Sequence, residues 1–290
     1  MGLFSSEKIE QRPELKDLTD KDFELFRKLI YEQSGISLNS TKKELLRTRL
    51  RARLSREGYS SFREYFDFVS SDKTGQALVP LLDDISTNLT SFFREINHFN
   101  FLNSVLPEWI ERKEKLRDNI FRVWSAGCST GEEPYSVLFT LLAHLHSSIP
   151  PWSIKYLATD ISTEVLRKAY MGIYPKERTD GVPPDYFRAY FLKDEPVKNR
   201  EMVRVIPEVR KYLTFKRFNL MNHQFPFKYK FDFIFCRNVM IYFDRPTQEV
   251  LVAKYHSHLK PGGYLFIGHS ESLTGLKNDF KYIQPTIYQK

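Results

Sequence analysis

Apolar residues in the first third of the chain recur every three or four positions, a spacing that predicts amphipathic helices. The first predicted helix begins after Thr19 and Asp20 and ends at Gly35. Others are predicted over 40–57, from Ser60 or Ser61, and from Ala77 to about Asp84. We therefore expect a polar, flexible tail over residues 1–18 and an all-helical domain over 19–85.

Beyond about residue 120 the pattern changes to short apolar runs that alternate with helical stretches, which is typical of an α/β fold with a parallel sheet. We expect one α/β domain over 86–290, with a small inserted antiparallel β-subdomain at about 182–212, where Pro, charged residues and alternating Val interrupt the rhythm. The predicted strands are 121–126, 154–159, 214–218, 231–236, 264–268 and 282–288, and the predicted helices are 132–145, 162–170 and 246–259.

Composition narrows the class of protein. Of the 290 residues, 41% are hydrophobic and 28% charged, which is ordinary for a globular chain. No run approaches the roughly 18 apolar residues of a membrane span, and charges occupy the N-terminus where a signal peptide is apolar. The only cysteines, Cys128 and Cys236, lack the spacing of a disulfide framework or zinc site. We expect a cytoplasmic protein without membrane insertion, and a monomer by default.

The net charge of +8 is concentrated in the second predicted helix. Leu46, Leu50 and Leu54 form its apolar stripe, and seven cations against Glu44 and Glu57 cover the rest: Lys42, Lys43, Arg47, Arg49, Arg51, Arg53 and Arg56. Such a surface suits an extended anion, such as nucleic acid, anionic lipid or an acidic helix of another protein, whereas the simpler interpretation is a solvated helix face.

A small-residue turn, Gly127-Cys-Ser-Thr-Gly131, follows the first predicted strand, where open α/β sheets bind ligands. Ser129 stands where a dinucleotide fingerprint has its second Gly, and no Gly-Lys-Ser/Thr follows, so neither pyrophosphate nor P-loop binding is expected. Asp160 ends the second strand; it suits a ribose diol, a cap for the next helix, or both roles together. Asn219 and Leu220 follow the next strand and suit an adenine edge and face.

Four motifs carry a family resemblance: Asn88-Leu-Thr-Ser-Phe-Phe-Arg94, Ala126-Gly-Cys-Ser-Thr-Gly-Glu-Glu-Pro-Tyr-Ser136, Ala158-Thr-Asp-Ile161 and Phe235-Cys-Arg-Asn-Val-Met-Ile-Tyr-Phe-Asp244. Together with Leu-Lys-Pro-Gly-Gly263 they resemble the chemotaxis receptor methyltransferases of bacteria, the CheR family, over about residues 19–290. The resemblance implies a Rossmann-like class I methyltransferase fold that uses S-adenosyl-L-methionine (AdoMet) and releases S-adenosyl-L-homocysteine (AdoHcy).

The resemblance also implies a reaction and a set of residues. The reaction is methyl transfer to glutamate side chains on the cytoplasmic helices of methyl-accepting chemotaxis receptors. Arg94 and Tyr242 are the expected catalytic pair, and Arg49, Arg53 and Arg56 the expected receptor-binding residues. In some members the β-subdomain captures a receptor C-terminal peptide. The expected AdoMet-binding residues are Asn88, Thr90, Arg94, Glu133, Asp160, Asn219, Leu220, Arg237 and Asn238.

Other interpretations of the same residues stay open at this point. If the family resemblance is set aside, Arg94 would pair with Glu95 or a surface acid, and Tyr242 would be an aromatic residue of the core. A catalytically weak signalling adaptor of the same fold is one alternative function. A nucleic-acid methyltransferase is less favoured, because strand four ends in Cys-Arg-Asn-Val and not in an Asn/Asp-Pro-Pro-aromatic motif. We expect no metal, since His144 and His146, like His256 and His258, point to different helix faces.

Overall fold

The computed structural model describes residues 15–86, 88–145 and 152–290, so most of the predicted tail lies outside the described residues. The chain divides into two compact units. The N-terminal unit runs to Gln33 and continues over Ser37–Ile85, and the C-terminal unit contains Ser34–Ile36 and Ser86–Lys290. None of the described helices is both long and apolar enough to cross a lipid bilayer.

The N-terminal unit is all helical in its described part. Its helices are α1 (Asp20–Ser34), α2 (Lys43–Glu57), α3 (Phe62–Ser71) and α4 (Leu78–Ile85), with a single 3-10 turn at Ser40–Lys42. Local capping fixes the helix starts, because the Thr19 hydroxyl accepts from the Asp22 N–H and the Ser61 hydroxyl from the Glu64 N–H. The predicted apolar stripe of α2 is confirmed, since Leu46, Leu50 and Leu54 are buried.

The C-terminal unit alternates helices and strands. The helices are α5 (Ile96–Lys115), α6 (Glu132–Leu145), α7 (Thr163–Met171), α8 (Pro184–Tyr190), α9 (Pro207–Arg210) and α10 (Arg245–His258), with 3-10 turns at Lys176–Thr179 and Met240–Tyr242. The strands are β1 (Ile120–Ala126), β2 (Ser153–Asp160), β3 (Ile173–Pro175), β4 (Phe191–Val197), β5 (Arg200–Val205), β6 (Leu213–Arg217), β7 (Phe231–Cys236), β8 (Leu259–Ile267), β9 (Lys281–Gln284) and β10 (Ile287–Gln289).

Seven strands form the main sheet in the order β6-β2-β1-β7-β8-β10-β9. The first five are parallel, and β10 and β9 extend the sheet in antiparallel orientation. The chain passes from β1 to β2 on one side and returns to β7 on the other. Because ligands of open α/β sheets bind at such a switch point, the carboxyl ends of β1, β2 and β7 are where a site is expected.

A second, three-stranded antiparallel sheet has the order β3-β5-β4 and confirms the predicted inserted sheet. It begins at Ile173, before the predicted start at 182, and ends at Val205. Lys198 and Asn199 join β4 to β5 with positive φ angles of 48° and 62°, as a tight hairpin turn requires. We call residues 173–205, comprising β3, a 3-10 turn, α8, β4 and β5, the inserted lobe.

Two elements differ from the sequence expectation. Helix α5 was not predicted, because charged and polar residues are mixed into its apolar positions; Phe99, Leu102 and Leu106 nevertheless pack into the main core. The single strand predicted over 282–288 is a hairpin of β9 and β10. Thr286 has a φ of 65°, which breaks an extended conformation there.

Candidate active site

The turn after β1 has a backbone that side chains tolerate poorly. Gly127 and Gly131 have φ angles of 100° and 97°. A Cβ on Gly127 would lie 2.3 Å from Val239 Cγ2, and a Cβ on Gly131 would lie 2.9 Å from both Ala169 Cβ and the Tyr174 hydroxyl. The Gly127 and Cys128 N–H groups donate to the Thr159 carbonyl, which ties the turn to β2. This turn therefore lies closely packed at the carboxyl end of the sheet.

Asp160 lies beside this turn at the end of β2. Its carboxylate accepts from the Ser129 N–H at 2.9 Å and from the Ser162 N–H at 3.0 Å, and its carbonyl accepts from the Phe218 N–H at 2.9 Å. The alternative that Asp160 caps the next helix is wrong, because Ser162 caps α7 through the Val165 N–H. Asp160 is thus a half-buried acceptor at the switch point, next to the residues that follow β6.

Asn88 joins the same group through its backbone. The Ser129 hydroxyl donates to the Asn88 carbonyl at 3.1 Å. Beyond β6, Asn219 accepts from the Met221 N–H at 2.9 Å, and Leu220 is buried in the core around Trp124. The structure thus places the predicted residues Asn88, Asp160 and Asn219 near one end of the sheet.

Arg237 lies buried between two carboxylates at the end of β7. Its guanidinium is 3.1 Å from Glu133 Oε2 on α6 and 3.2 Å from Glu95 Oε2. It also donates to the Arg94 carbonyl. Burial raises the pKa of Glu133, against the opposing effect of Arg237 and the Ser125 hydroxyl. One cation therefore joins predicted site residues from three parts of the chain.

Glu95 is a site residue that the sequence analysis missed. The alternative in which Arg94 pairs with Glu95 is wrong, since Glu95 pairs with Arg237 while Arg94 Nη1 donates to the Leu89 carbonyl at 3.0 Å. Glu95 Oε1 accepts from the His269 N–H at 3.1 Å and from Asn238 Nδ2 at 3.4 Å. Burial acts to raise the pKa of Glu95, but Arg237 and this N–H outweigh it, and the pKa is lowered. Its position next to Arg94 was the only signal in the sequence.

His98 is buried beneath Glu95. Its Nε2 is 2.7 Å from the Thr286 hydroxyl, which itself donates to the Pro285 carbonyl. Its Nδ1 lies 3.6 Å from Glu95 Oε2. Burial, and next the charge of Arg237, lower the pKa of His98 to about 3. This histidine is neutral at physiological pH.

Glu95, His98 and His269 are also the one group among the described residues whose ligand atoms could converge on a metal ion, within 4.8 Å of one another. They differ from the histidines that the sequence analysis weighed. The Arg237 guanidinium already supplies positive charge against Glu95 at 3.2 Å, which disfavours a metal cation in the same place. We interpret the group as part of the ion-pair network.

Glu271 is a second missed residue, and it fixes the segment that carries Asn238 and Tyr242. Its carboxylate accepts from the backbone N–H groups of Asn238 at 3.0 Å, Ile241 at 3.2 Å and Gly268 at 2.5 Å. Asn238 has a φ of 58°, a conformation that is uncommon outside glycine and that these bonds stabilise. Tyr242 ends the 3-10 turn that follows. Nothing in the local sequence distinguishes Glu271 from a surface acid.

The charges of the site suit some ligands better than others. Residues 127–136 contain Glu132 and Glu133 at the start of α6 and no Lys or Arg. Buried carboxylates at a helix N-terminus oppose a phosphate group there, whereas a carboxylate such as Asp160 suits sugar hydroxyls. The residues therefore fit a nucleoside with a cationic tail better than a nucleotide. Cys128 is no nucleophile here, because burial raises its pKa.

The predicted receptor-binding arginines lie on α2 in the N-terminal unit. Arg49 donates to the Ile85 carbonyl at 2.6 Å, and Arg53 forms ion pairs with Asp84 and Glu57. Arg56 is 3.5 Å from Glu57, and its side chain is 68% exposed. Arg53 thus has an acidic partner outside its own helix, because Asp84 comes from α4.

Comparison with known protein families gives two matches that together span most of the chain. Residues 21–86 match the all-alpha domain of CheR methyltransferases, and residues 88–289 match their SAM-binding domain, SAM being AdoMet.

Individual relatives are similar over nearly their whole length. A chemotaxis protein methyltransferase of Borreliella burgdorferi is 41% identical, over 94% of this chain and 95% of its own. That of Escherichia coli is 37% identical, over 96% and 93%. Among solved structures, PKMT2 from Rickettsia typhi in complex with AdoHcy is 15% identical and covers 51% of this chain and 21% of its own, with a TM-score of 0.31. A TM-score this low does not support any conclusion about the present chain.

Proposed function

This chain belongs to the CheR family of chemotaxis protein methyltransferases, and on that basis we propose that it methylates glutamate side chains of chemoreceptors with AdoMet through the residues described above. The observation that carries the proposal is the arrangement of Asp160, Glu133 and Arg237 around the carboxyl ends of β1, β2 and β7 within the segment that matches the SAM-binding domain. AdoMet, when bound, supplies an activated methyl group on a sulfonium.

Each predicted AdoMet-binding residue has a role in this proposal. Asp160 accepts from the ribose hydroxyls, while Asn219 and Leu220 contact the adenine edge and face. Glu133 and Arg237, with Asn88, Thr90, Arg94 and Asn238, surround the amino-acid end of the ligand. The proposal draws support from Ser129, which links Asp160 to the Asn88 backbone, and from Arg237, which links Glu133 to the Arg94 backbone.

The acceptor chemistry needs no general base. A glutamate side chain has a reference pKa of about 4.3, so the attacking oxygen is already ionised at neutral pH. The task of the protein is therefore positioning, since in-line attack requires the reacting atoms at near-attack distance in a site from which water is excluded. We assign Arg94 to orienting the incoming carboxylate and Tyr242 to a hydrogen bond with it. The bond from Arg94 Nη1 to the Leu89 carbonyl restricts that side chain in advance.

Receptor recognition is assigned to two surfaces. Helix α2 offers Arg49, Arg53 and Arg56 to the acidic methylation helices of receptors, an interaction that electrostatic complementarity favours. Of the three, Arg56 is the most exposed. Strand β4 lies at an edge of the inserted sheet and could pair with a receptor C-terminal peptide by strand addition. The enzyme would act as a monomer in the cytoplasm.

A transfer assay tests the proposal. Methyl-labelled AdoMet is incubated with the protein and with membranes that carry chemoreceptors of the source organism. A glutamyl methyl ester releases its label as volatile methanol in alkali, so we expect base-labile label on the receptors that is lost in Arg94→Ala and Tyr242→Phe. Base-stable label on nucleic acid or on another protein would keep the AdoMet site and overturn the substrate. AdoMet binding without transfer to any acceptor would favour a signalling adaptor.

A further inference from the structure

Arg178 lies in the 3-10 turn of the inserted lobe, and none of the roles proposed above involves it. Its Nη2 is 3.0 Å from the Thr90 carbonyl and 2.5 Å from Glu132 Oε1. Thr90 belongs to the segment with Asn88 and Arg94, and Glu132 begins α6 directly after the Gly127–Gly131 turn. We propose that Arg178 is a positioning residue that holds these two walls of the AdoMet site at a fixed separation. The inference deepens the proposed function and depends on it.

The partner carboxylate has little else to neutralise it. Glu132 is completely buried, and its other oxygen accepts from the neutral Thr130 hydroxyl at 2.6 Å. A buried carboxylate that loses its cation must take up a proton or move toward water. Either change would act on the turn, because Thr130 belongs to it. Burial already raises the pKa of Glu132 against the charge of Arg178.

Other contacts bring the same lobe against both walls. The Tyr174 hydroxyl on β3 donates to the Thr130 carbonyl at 2.7 Å. The Phe92 ring packs edge-on against two rings of the lobe. Its centroid is 5.1 Å from that of Tyr174 and 5.6 Å from that of Phe191. A Cβ on Gly181 would lie 2.8 Å from the Phe92 carbonyl oxygen, so the chain is in close contact there. Arg178 is thus the charged member of a packed junction between the lobe and the two walls.

The junction also has an internal link between the walls. The Ser136 hydroxyl on α6 donates to the Glu132 carbonyl at 2.7 Å and accepts from the Phe93 N–H at 3.0 Å. Residues 88–94 are therefore bonded to α6 at Phe93 and to the lobe at Thr90. Without Arg178, the bond from Ser129 to the Asn88 carbonyl and the bond from Arg94 to the Leu89 carbonyl still hold the part that carries Asn88 and Thr90, but its bond to the lobe at Thr90 is lost. The loss should therefore affect AdoMet binding more than the fold.

The test separates positioning from general stability and from direct contact with the receptor. Arg178→Ala, Arg178→Lys and the control Arg188→Ala are compared with the unmodified protein by calorimetric AdoMet titration, steady-state methylation and thermal unfolding. Arg188 lies in the same lobe, is 71% exposed and pairs only with neighbouring Asp185 among its described contacts. All titrations are made well below the unfolding temperature of every variant.

We expect Arg178→Ala to weaken AdoMet binding at least tenfold, with a smaller change in the KM for receptor. Arg178→Lys should recover part of the affinity, because a lysine retains the charge but is shorter than an arginine, whose Nη2 contacts both acceptors. Arg188→Ala should match the unmodified protein. An AdoMet Kd within twofold of the unmodified value in Arg178→Ala would overturn the inference, as would an effect confined to receptor KM, which would mark Arg178 as a substrate contact.

A second measurement keeps the inference testable if Arg178→Ala folds poorly. In a Glu132→Gln background no buried charge needs the guanidinium, so removing Arg178 should cost much less AdoMet affinity than it does in the unmodified background. If removing Arg178 weakens AdoMet binding equally in both backgrounds, the assigned pairing of Arg178 with Glu132 is contradicted. If the unmodified protein itself fails to bind AdoMet, the proposed function fails and not this inference alone.

Discussion

At the scale of single residues, the site depends on buried ion pairs that share one arginine. Arg237 carries one positive charge against Glu95 and Glu133, whose side chains are 8% and 10% exposed. Removing one partner of a buried pair leaves the other without compensation, which typically costs about 3–5 kcal/mol. The position of the Arg94 backbone is thus tied to an ion pair and not only to loop packing.

Tyr242→Phe tests the assigned hydrogen bond at the same scale. The ring is kept and only the hydroxyl is lost, so we expect AdoMet affinity to be unchanged and kcat to fall about a hundredfold, the usual effect of losing one hydrogen bond to the transition state. Single-turnover methylation together with an AdoMet titration measures both. Tyr229→Phe is the control, since Tyr229 is 58% exposed and lies over Arg122. Unchanged turnover in Tyr242→Phe would remove Tyr242 from the mechanism.

At the scale of elements, helix α2 shows which charges fold the protein and which are available to a partner. Arg53 is 15% exposed and bonded to Asp84, whereas Arg56 is 68% exposed. We expect Arg56→Ala to raise the KM for receptor and flatten its salt dependence without changing the melting temperature. Arg53→Ala should in addition lower the free energy of unfolding, by about 1–2 kcal/mol, because its bond to Asp84 is lost.

Steady-state methylation at several salt concentrations, with thermal unfolding of the same variants, measures these effects. Lys28→Ala is the matched control, because Lys28 is an exposed cation of α1 with only a weak pair to Glu32 at 3.9 Å. If Arg56→Ala and Lys28→Ala behave alike, the charges of α2 serve only as a solvated helix face.

Periodicity in the sequence was enough to predict elements whose partners are nearby or whose apolar faces are regular. The parallel strands and α2 were predicted for this reason. Helix α5 was not, because its buried face includes His98 and Lys113 beside the apolar residues. Lys113 is buried between Asp118, 2.7 Å away, and Asp232, 3.2 Å away, and the second of these partners comes from β7.

Only those residues of the candidate site that belong to sequence motifs could be predicted. Asp160, Glu133 and Arg237 stand at the ends of strands or directly after a turn, which the sequence shows. Glu95 and Glu271 are acids like many others in the chain until the fold brings them to their partners. Glu95 and Arg237 are 142 positions apart, so no local pattern could have joined them.

At the scale of the whole molecule, the buried His98 makes the free energy of unfolding depend on pH. The pKa of His98 is about 3 in the folded chain against 6.5 for an ordinary histidine. Between these values the unfolded chain binds the additional proton, so stability falls as pH drops below 6.5, by about 2 kcal/mol at pH 5. The groups that face His98 are Glu95, Arg237 and His269.

We expect the unfolding free energy of His98→Gln to vary less steeply between pH 6.5 and 4 than that of the unmodified protein. Urea unfolding followed by tryptophan fluorescence measures it, and Trp109, Trp124 and Trp152 all report on the C-terminal unit. The raised pKa values of Glu133 and Glu271 act with the opposite sign near pH 4.5, but equally in both proteins. His223→Gln, at an exposed position, is the control. Equal slopes in His98→Gln and the unmodified protein would contradict the assignment.

The strand order of the main sheet also determines when each strand can find its neighbours as the chain emerges from the ribosome. Strand β1 is flanked by β2 and β7, and β7 begins only at Phe231. The N-terminal helices and the β4–β5 hairpin can form from neighbouring residues as they emerge, whereas β1 must wait for about a hundred more residues before its second neighbour exists. During that interval an apolar strand edge is open to other nascent chains, so slow translation between 126 and 231 should favour aggregation over folding.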